Sequence, residues 1–320
     1  MLSPLLIIVY NRIDHLKKAI ESVKSNIEAK ETILYVSSDG WKNEEDKIKV
    51  KKIREYSRSI TGFKSVEIIS YDKNLGGDAA TNKSRAYIFS KYDRLITIED
   101  DQEVSPFFLN YINEGLDFYE NDPRVFSICG FSPYIFSNNY DQYESKLFKS
   151  NRWNAWGFGF WKEKVENFEE VKKSESFFNE LEKDLKCKTF KKKINLLSKE
   201  YFPHLLHSLK KRKIPEYDFL IGYYCVKNEL FNIYFSKTHT INNGNDGSGL
   251  RAKKNDFLLS RMNINNFIKE KVDFIESEKI VFTNFMPRPP AKSIIIKIKI
   301  ILIQLSIFDF TKKLIKQLKF

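Results

Sequence analysis

The sequence predicts an α/β fold, a mostly parallel sheet with helices on both faces. Three observations predict it. Apolar runs of strand length alternate with helical periodicities through the first 131 residues. Polar residues stand just past the ends of successive apolar runs, where open α/β sheets bind ligands. A hydrophobic content of 42%, with 27 Phe, 16 Tyr and 4 Trp among 320 residues, supplies a large core and excludes a disordered chain.

Taken in order, Leu5–Tyr10 is a continuous apolar run, the mark of a buried parallel strand. Leu16, Ala19, Ile20, Val23 and Ile27 then recur at helical spacing. Thr32–Ser38 reads as a second strand closed by Asp39-Gly40, and a charged helix follows from about Asn43 to Arg58. Ser65–Tyr71 is a third strand, Lys73–Gly77 a loop, and Asp78–Ser90 a helix. Arg94–Ile98 is a fourth strand ending in Glu99-Asp100-Asp101. Ser105-Pro106 has the form of an N-cap with proline at the first helical position, opening a helix to Tyr119. Val125–Phe131 is a fifth strand. The second half is less regular: an aromatic, glycine-rich stretch at Asn151–Trp161, charged helices over 162–213, an apolar pattern at Tyr217–Phe235, and a Gly/Asn loop at Asn242–Gly249.

Cys129, Cys187 and Cys225 are far apart and form no framework of disulfides or CxxC pairs, as in a reduced, cytosolic chain. No apolar run reaches membrane-span length, and Met1–Tyr10 reads as a strand and not a signal peptide. The net charge is +12, of which residues 287–320 carry +7. A nucleic-acid binder would spread that charge over a folded face, so nucleic acid is not the expected partner. A basic, isoleucine-rich tail suggests an anionic membrane surface.

Four consecutive strand ends supply convergent polar groups: Asn11-Arg12, Asp39, Asn74 and Glu99-Asp100-Asp101. Three adjacent acids after an apolar strand raise one another's pKa unless a cation neutralises them, and hard divalent cations prefer such oxygens. A solvated acidic turn is the plain alternative. Likewise Arg12 as a surface helix cap, and Asp39 before Gly40 as a turn former, are the structural alternatives.

These residues resemble glycosyltransferase family 2: Asn11-Arg12 after the first strand, Asp39 after the second, Asn74-Leu75-Gly76 before a helix, and an acidic triplet after the fourth. The Glu-Asp-Asp variant, with Pro106-Phe107-Phe108 following, is similar to N-acetylglucosaminyltransferase I of family 13. The resemblance covers about residues 3–131. It implies a GT-A (Rossmann-like) fold with residues 1–131 as the nucleotide-sugar-binding half and 132–286 as a more irregular acceptor and catalytic half; the last 70 residues have no counterpart in it, and 287–320 read on their own charge and apolar pattern as a basic amphipathic helical tail. It further implies that Arg12 and Asp39 contact the nucleotide base, Asp39 accepting from the uracil imide, that Asn74 also serves the nucleotide-sugar, that Glu99 and Asp100 bond hydroxyls of ribose or sugar, and that Asp101 binds Mn²⁺ (or Mg²⁺). The catalytic base would come from Glu216-Tyr217-Asp218, with Asp218 preferred and Glu216 in reserve; in the family the two acids are adjacent. Asp218 as a helix N-cap is the structural alternative.

Trp156 in the aromatic stretch suits stacking on a sugar ring, although core packing is the commoner fate of aromatics. His239 and Asp246 flank the late loop, which by composition suits closure over donor and metal, with His239 a possible second ligand. His204 and His207 read as surface residues. In the tail, Ile307, Phe308, Leu314, Ile315 and Leu318 share a stripe edged by Lys312, Lys313, Lys316 and Lys319, the pattern of an interfacial helix. A helix packed on the domain is the alternative.

The expected function is therefore metal-dependent, inverting transfer of a sugar from a UDP-sugar, first UDP-N-acetylglucosamine, to a glycan or lipid-linked glycan acceptor. The expected place is the cytoplasmic face of the cell membrane, in bacterial surface polysaccharide synthesis. A sugar-nucleotide nucleotidyltransferase would need a glycine-rich phosphate loop after the first strand, where the chain has Asn11-Arg12. A non-catalytic carbohydrate- or nucleic-acid-binding module leaves the acidic triplet without a purpose.

Overall fold

The computed structural model describes residues 2–136, 142, 144–249, 254–274, 278–279 and 290–311. Strand β1 (Leu5–Val9) is followed by helix α1 (Ile13–Lys24), which buries Leu16, Ala19, Ile20 and Val23. That is the apolar stripe of the sequence, one residue short. Ile27 was expected on it but opens a 3-10 turn and is 81% exposed. The cause is Asn26, whose amide donates to the Ser22 and Ser105 carbonyls while its oxygen accepts from Leu109 N, so the chain turns there.

Next come β2 (Ile33–Ser38), α2 (Glu44–Arg58), β3 (Ser65–Ser70), α3 (Gly77–Phe89), β4 (Arg94–Glu99), β5 (Gln102–Val104), α4 (Phe108–Phe118) and β6 (Val125–Cys129). Asn43 caps α2 by accepting from Asp46 N at 2.8 Å, a contact of about 1 kcal/mol. The α4 start differs from expectation. The helix begins at Phe108, and the Ser105 hydroxyl bonds His239 Nδ1 at 2.9 Å. The second half gives β7 (Leu147–Ser150), β8 (Phe158–Trp161), α5 (Lys162–Lys173), α6 (Phe177–Lys186), α7 (Lys188–Leu197), α8 (Tyr201–Lys211) and α9 (Tyr217–Lys227). It ends with β9 (Phe231–Phe235), β10 (Thr240–Asn242), α10 (Asp256–Arg261), β11 (Glu278–Lys279) and α11 (Pro290–Gln304).

Among the described residues, the main sheet has nine strands in the order β11-β7-β9-β6-β8-β4-β1-β2-β3. β4, β1, β2 and β3 are parallel neighbours, and β6 is parallel to β9. The predicted class, α/β with a mostly parallel sheet flanked by helices, is the class observed. Strand β8, inside the aromatic stretch read as a ligand segment, runs antiparallel between β4 and β6. A separate antiparallel pair joins β5 to β10.

The chain divides into two compact units: residues 1–149, 154–165 and 231–279, and residues 150–153, 166–230 and 280–320. The division does not fall at 131 and 286, because β8 and β9 return to the sheet built by the first half. In the first unit, β1, β2 and β4 bury Leu5, Ile7, Leu34, Val36, Ile96 and Ile98 completely. The second unit is helical, built by α6, α7, α8 and α9 around Leu181, Ile194, Leu205 and Leu220, and it contains α11. No described helix is long and apolar enough to cross a membrane.

Candidate active site

In the first unit, the chain leaving β1 does two jobs. Tyr10 Oη and Asn11 Nδ2 each donate to the Asp46 carboxylate at 2.7 Å, tying β1 to the first turn of α2. The Tyr10 hydrogen bond chiefly holds Asp46 below the usual carboxylate range. Arg12 follows, and its guanidinium reaches the end of β4. Nε donates to Asp100 Oδ2 at 3.3 Å, and Nη2 donates to Asp100 Oδ1 and, at 2.8 Å, to Asp101 Oδ2.

Asp100 and Asp101 are only 3% and 8% exposed. Two buried acids side by side need a cation, and Arg12 supplies it. Burial pushes the Asp100 carboxyl up to about 6, with Arg12 pulling the other way. Arg12, expected on the nucleobase, therefore lies on the acidic pair in this structure. Glu99 ends β4 in register with Ile8 and is half-buried.

Asp39 is also differently employed. Gly40 N and Leu75 N donate to Oδ1 at 2.8 and 2.9 Å, while Gly76 N and Asn74 Nδ2 donate to Oδ2 at 2.9 and 3.1 Å. Four donors fill the roughly four acceptor directions of a carboxylate. A uracil imide would have to displace one of them. Asn74 also bonds the Gly40 carbonyl at 2.7 Å, so the loops after β2 and β3 form one clasp. Gly40 is required there, since a Cβ would stand 2.3 Å from the Lys73 backbone.

The loop after β10 closes the other side of the acidic pair. Asn243 N donates to the Asp101 carbonyl at 2.8 Å, and Asn242 Nδ2 donates to Asp101 Oδ1 at 3.2 Å. Gly244 lies flush on the carboxylate, where a Cβ would be 2.2 Å from Oδ2. Asp246 reaches His15 Nε2 on α1 at 3.2 Å. Its partial burial is overcome by the Ser248 hydroxyl and amide and by His15 and Arg12, which together lower its pKa. The composition of this loop signalled closure; Asn242 and His15 carried no signal of their own.

His239, considered as a second metal ligand, is a core residue. Its ring is fully buried, stacks on Tyr111 at 4.2 Å, and bonds Ser105 through Nδ1. Burial alone pushes its pKa down to about 3. Trp156 is half-buried, edge-on to Phe131 at 4.6 Å, with its amide on Asn154 Oδ1. Neighbouring Ala155 accepts from Gln102 Nε2 at 3.3 Å, which links the aromatic stretch to the residue after Asp101.

Glu216 and Asp218 belong to the second unit and are both exposed. Glu216 is the residue before α9 but makes no side-chain cap bond, and Asp218 sits in the first turn. His204 and His207, expected as surface residues, hold the tail: His204 Nε2 meets Lys299 Nζ at 3.1 Å, and His207 Nε2 meets Asp309 Oδ1 at 3.1 Å. The tail residues Lys312, Lys313, Leu314, Ile315, Lys316, Leu318 and Lys319 lie outside the described residues.

Among the described residues, no three His, Cys, Asp or Glu side chains form a ligand cluster for a metal. Asp101 nevertheless fits a one-carboxylate site. Its oxygens carry Arg12 and Asn242 and keep further acceptor directions. A hard divalent cation needs only one or two carboxylates when substrate phosphates complete its shell.

No protein-family model matches the chain, and no curated protein sequence does. Among solved structures, it is similar to the mannosyltransferase PcManGT of Pyrobaculum calidifontis, in complex with GDP-Man and Mn²⁺, with a TM-score of 0.35 and 11% identity over 52% of this chain and 46% of that one. For S. aureus TarS in complex with UDP-GlcNAc the TM-score is 0.30, at 16% identity over 40% and 33%. For glucosyl-3-phosphoglycerate synthase of Mycobacterium tuberculosis, in complex with Mn²⁺, UDP and glucosyl-3-phosphoglycerate, it is 0.28, at 12% identity over 43% and 47%. The chain spans less than half the length of each. Overlaps of this extent say nothing about what this chain binds or transfers.

Proposed function

We propose that the chain is a metal-dependent, inverting glycosyltransferase that moves a sugar from a UDP-sugar to a glycan acceptor. The observation that carries this reading is the buried Asp100-Asp101 pair past the end of β4, bridged by Arg12 and covered by the Asn242–Asp246 loop. Such a pair is costly to bury for structure alone, and it stands where open α/β sheets take ligands.

In this reading Asp101 holds Mn²⁺ or Mg²⁺, and Glu99 and Asp100 accept from hydroxyls of the ribose or sugar. Asp39 and Asn74 shape the nucleotide end, and Trp156 lines the sugar. A divalent cation here would offset the charge of the departing diphosphate. Asp218, or Glu216 in its place, takes the proton of the acceptor hydroxyl as that oxygen bonds to the anomeric carbon. The bond from that carbon to the diphosphate breaks on the opposite face, and UDP leaves. The Glu-Asp-Asp sequence, similar to that of family 13, puts UDP-N-acetylglucosamine first among donors. A lipid-linked acceptor at the cytoplasmic face of a bacterial membrane, reached through residues 287–320 in surface polysaccharide synthesis, completes the proposal.

The test is UDP release from a panel of UDP-sugars with Mn²⁺, on wild type and Asp101→Ala, with and without EDTA. Release from one donor, lost with EDTA and in the variant, is the expected result. Absence of both turnover and metal-dependent UDP-sugar binding by calorimetry would overturn it.

A further inference from the structure

The charge of the chain is divided unequally between its two units. The second unit holds 23 Lys and Arg against 12 Asp and Glu, a net +11, which leaves +1 for the first. Within that unit, α11 is not a free arm. Ile296 and Ile303, seven residues apart, are buried, and α11 packs on α8. Lys299 meets His204, and past the helix end Asp309 takes both His207 and Lys211.

The opposite side of α11 is apolar as well. Ile295, Ile298, Ile301 and Leu305 recur at three- and four-residue spacing and are 60%, 51%, 53% and 62% exposed, and Phe310 beyond them is 70% exposed. A helix packed on its own unit needs one apolar face, not two. Four residues past Leu305, Asp309 is tied to His207 and to Lys211, and Lys211 belongs to the exposed Lys210-Lys211-Arg212-Lys213 run at the end of α8.

We infer that the second unit carries a preformed docking face for an anionic lipid bilayer, in which the Ile295, Ile298, Ile301 and Leu305 stripe enters the headgroup boundary and the α8 end supplies the cationic rim. An apolar stripe edged by basic residues is what an interfacial helix presents to anionic lipid. The inference refines the membrane-surface part of the proposed function and is independent of sugar transfer. The face is held by α8 before binding, so little chain ordering is required on docking.

Co-sedimentation of the full chain with vesicles of phosphatidylcholine, alone or mixed with phosphatidylglycerol, tests it. Wild type should pellet with the mixed vesicles, not with the neutral ones, and less as salt rises. Ile298→Asp with Ile301→Asp should weaken partitioning at least tenfold with unchanged far-UV circular dichroism. Lys210→Gln with Lys213→Gln should weaken it by about thirtyfold, at roughly fivefold per basic residue near the surface. Failure of wild type to bind mixed vesicles, or equal binding by the Asp variant, overturns the inference. So does a wild-type dimer that the Asp variant splits, because a second copy would then cover the stripe. Vesicle binding with neither UDP release nor metal-dependent UDP-sugar binding would sink the catalytic reading and leave this one standing; UDP release without vesicle binding would do the opposite.

Discussion

Arg12 Nη2 lies 2.8 Å from Asp101 Oδ2 while the same guanidinium grips both oxygens of Asp100. One side chain from the turn after β1 thus bridges two consecutive acids after β4 and offsets one of their two charges. Arg12→Ala should cost about 3 to 5 kcal/mol, the range for breaking a buried ion pair by removing one partner. Urea unfolding would measure it, and Mn²⁺ should restore part of the loss in the variant by taking up the cationic role.

Gly244→Ala tests how tightly the late loop covers Asp101. With a Cβ 2.2 Å from Oδ2, the loop must shift. The expected outcome is a KM for the donor raised at least tenfold with the unfolding midpoint nearly unchanged. A wild-type KM would mean that this loop does not contact the donor.

Asn74→Ala removes two donated hydrogen bonds, one to Asp39 and one to the Gly40 carbonyl. At about 1 kcal/mol each, thermal or urea unfolding should show a loss of about 2 kcal/mol. A loss well below that would mean that water replaces Asn74 in the clasp.

His239 sets a pH dependence. Its pKa falls from 6.5 unfolded to about 3 folded, so the unfolded chain binds the extra proton between those values. Stability is complete above 6.5 and is lost as pH falls toward 3. Between pH 7 and 5 this group alone should remove about 2 kcal/mol. His239→Gln should flatten that stretch of the stability profile, and an unchanged profile would contradict the assignment.

Asp218→Asn should lower kcat at least a hundredfold with little change in donor KM, as for loss of a general base. Glu216→Gln should change either parameter less than threefold. A reversed ranking would move the base to Glu216.

Most of the first half of the fold was legible because its helices carry an apolar period and its longer strands a continuous apolar run. The buried set of α1 and the strands β1 to β4 follow directly from apolar spacing. β8 was not legible, since Phe158-Gly159-Phe160-Trp161 is a short aromatic run interrupted by glycine, a composition that suits sugar stacking as well as a strand. β5 and β10 are three residues each, too short for any period. The acidic triplet and the strand ends were readable as a site, but the partner each residue takes was not. Arg12 pairs with Asp100 across 88 positions, and Asn242 with Asp101 across 141. No local pattern encodes such pairs; they follow from the order in which strands join the sheet.

That order bears on how the protein is made. β8 is wedged between β4 and β6 and hydrogen-bonds to both. As the chain leaves the ribosome, β4 can pair with β1 at once, but its other edge stays open until residues 158–161 emerge, and β6 has no sheet neighbour before then. A nascent chain stopped near residue 131 would hold most of the residues proposed for the site in the first unit but only part of its sheet. Such a truncation is expected to aggregate and not to fold as a smaller binding domain, and the long pairings place the full chain among slow folders.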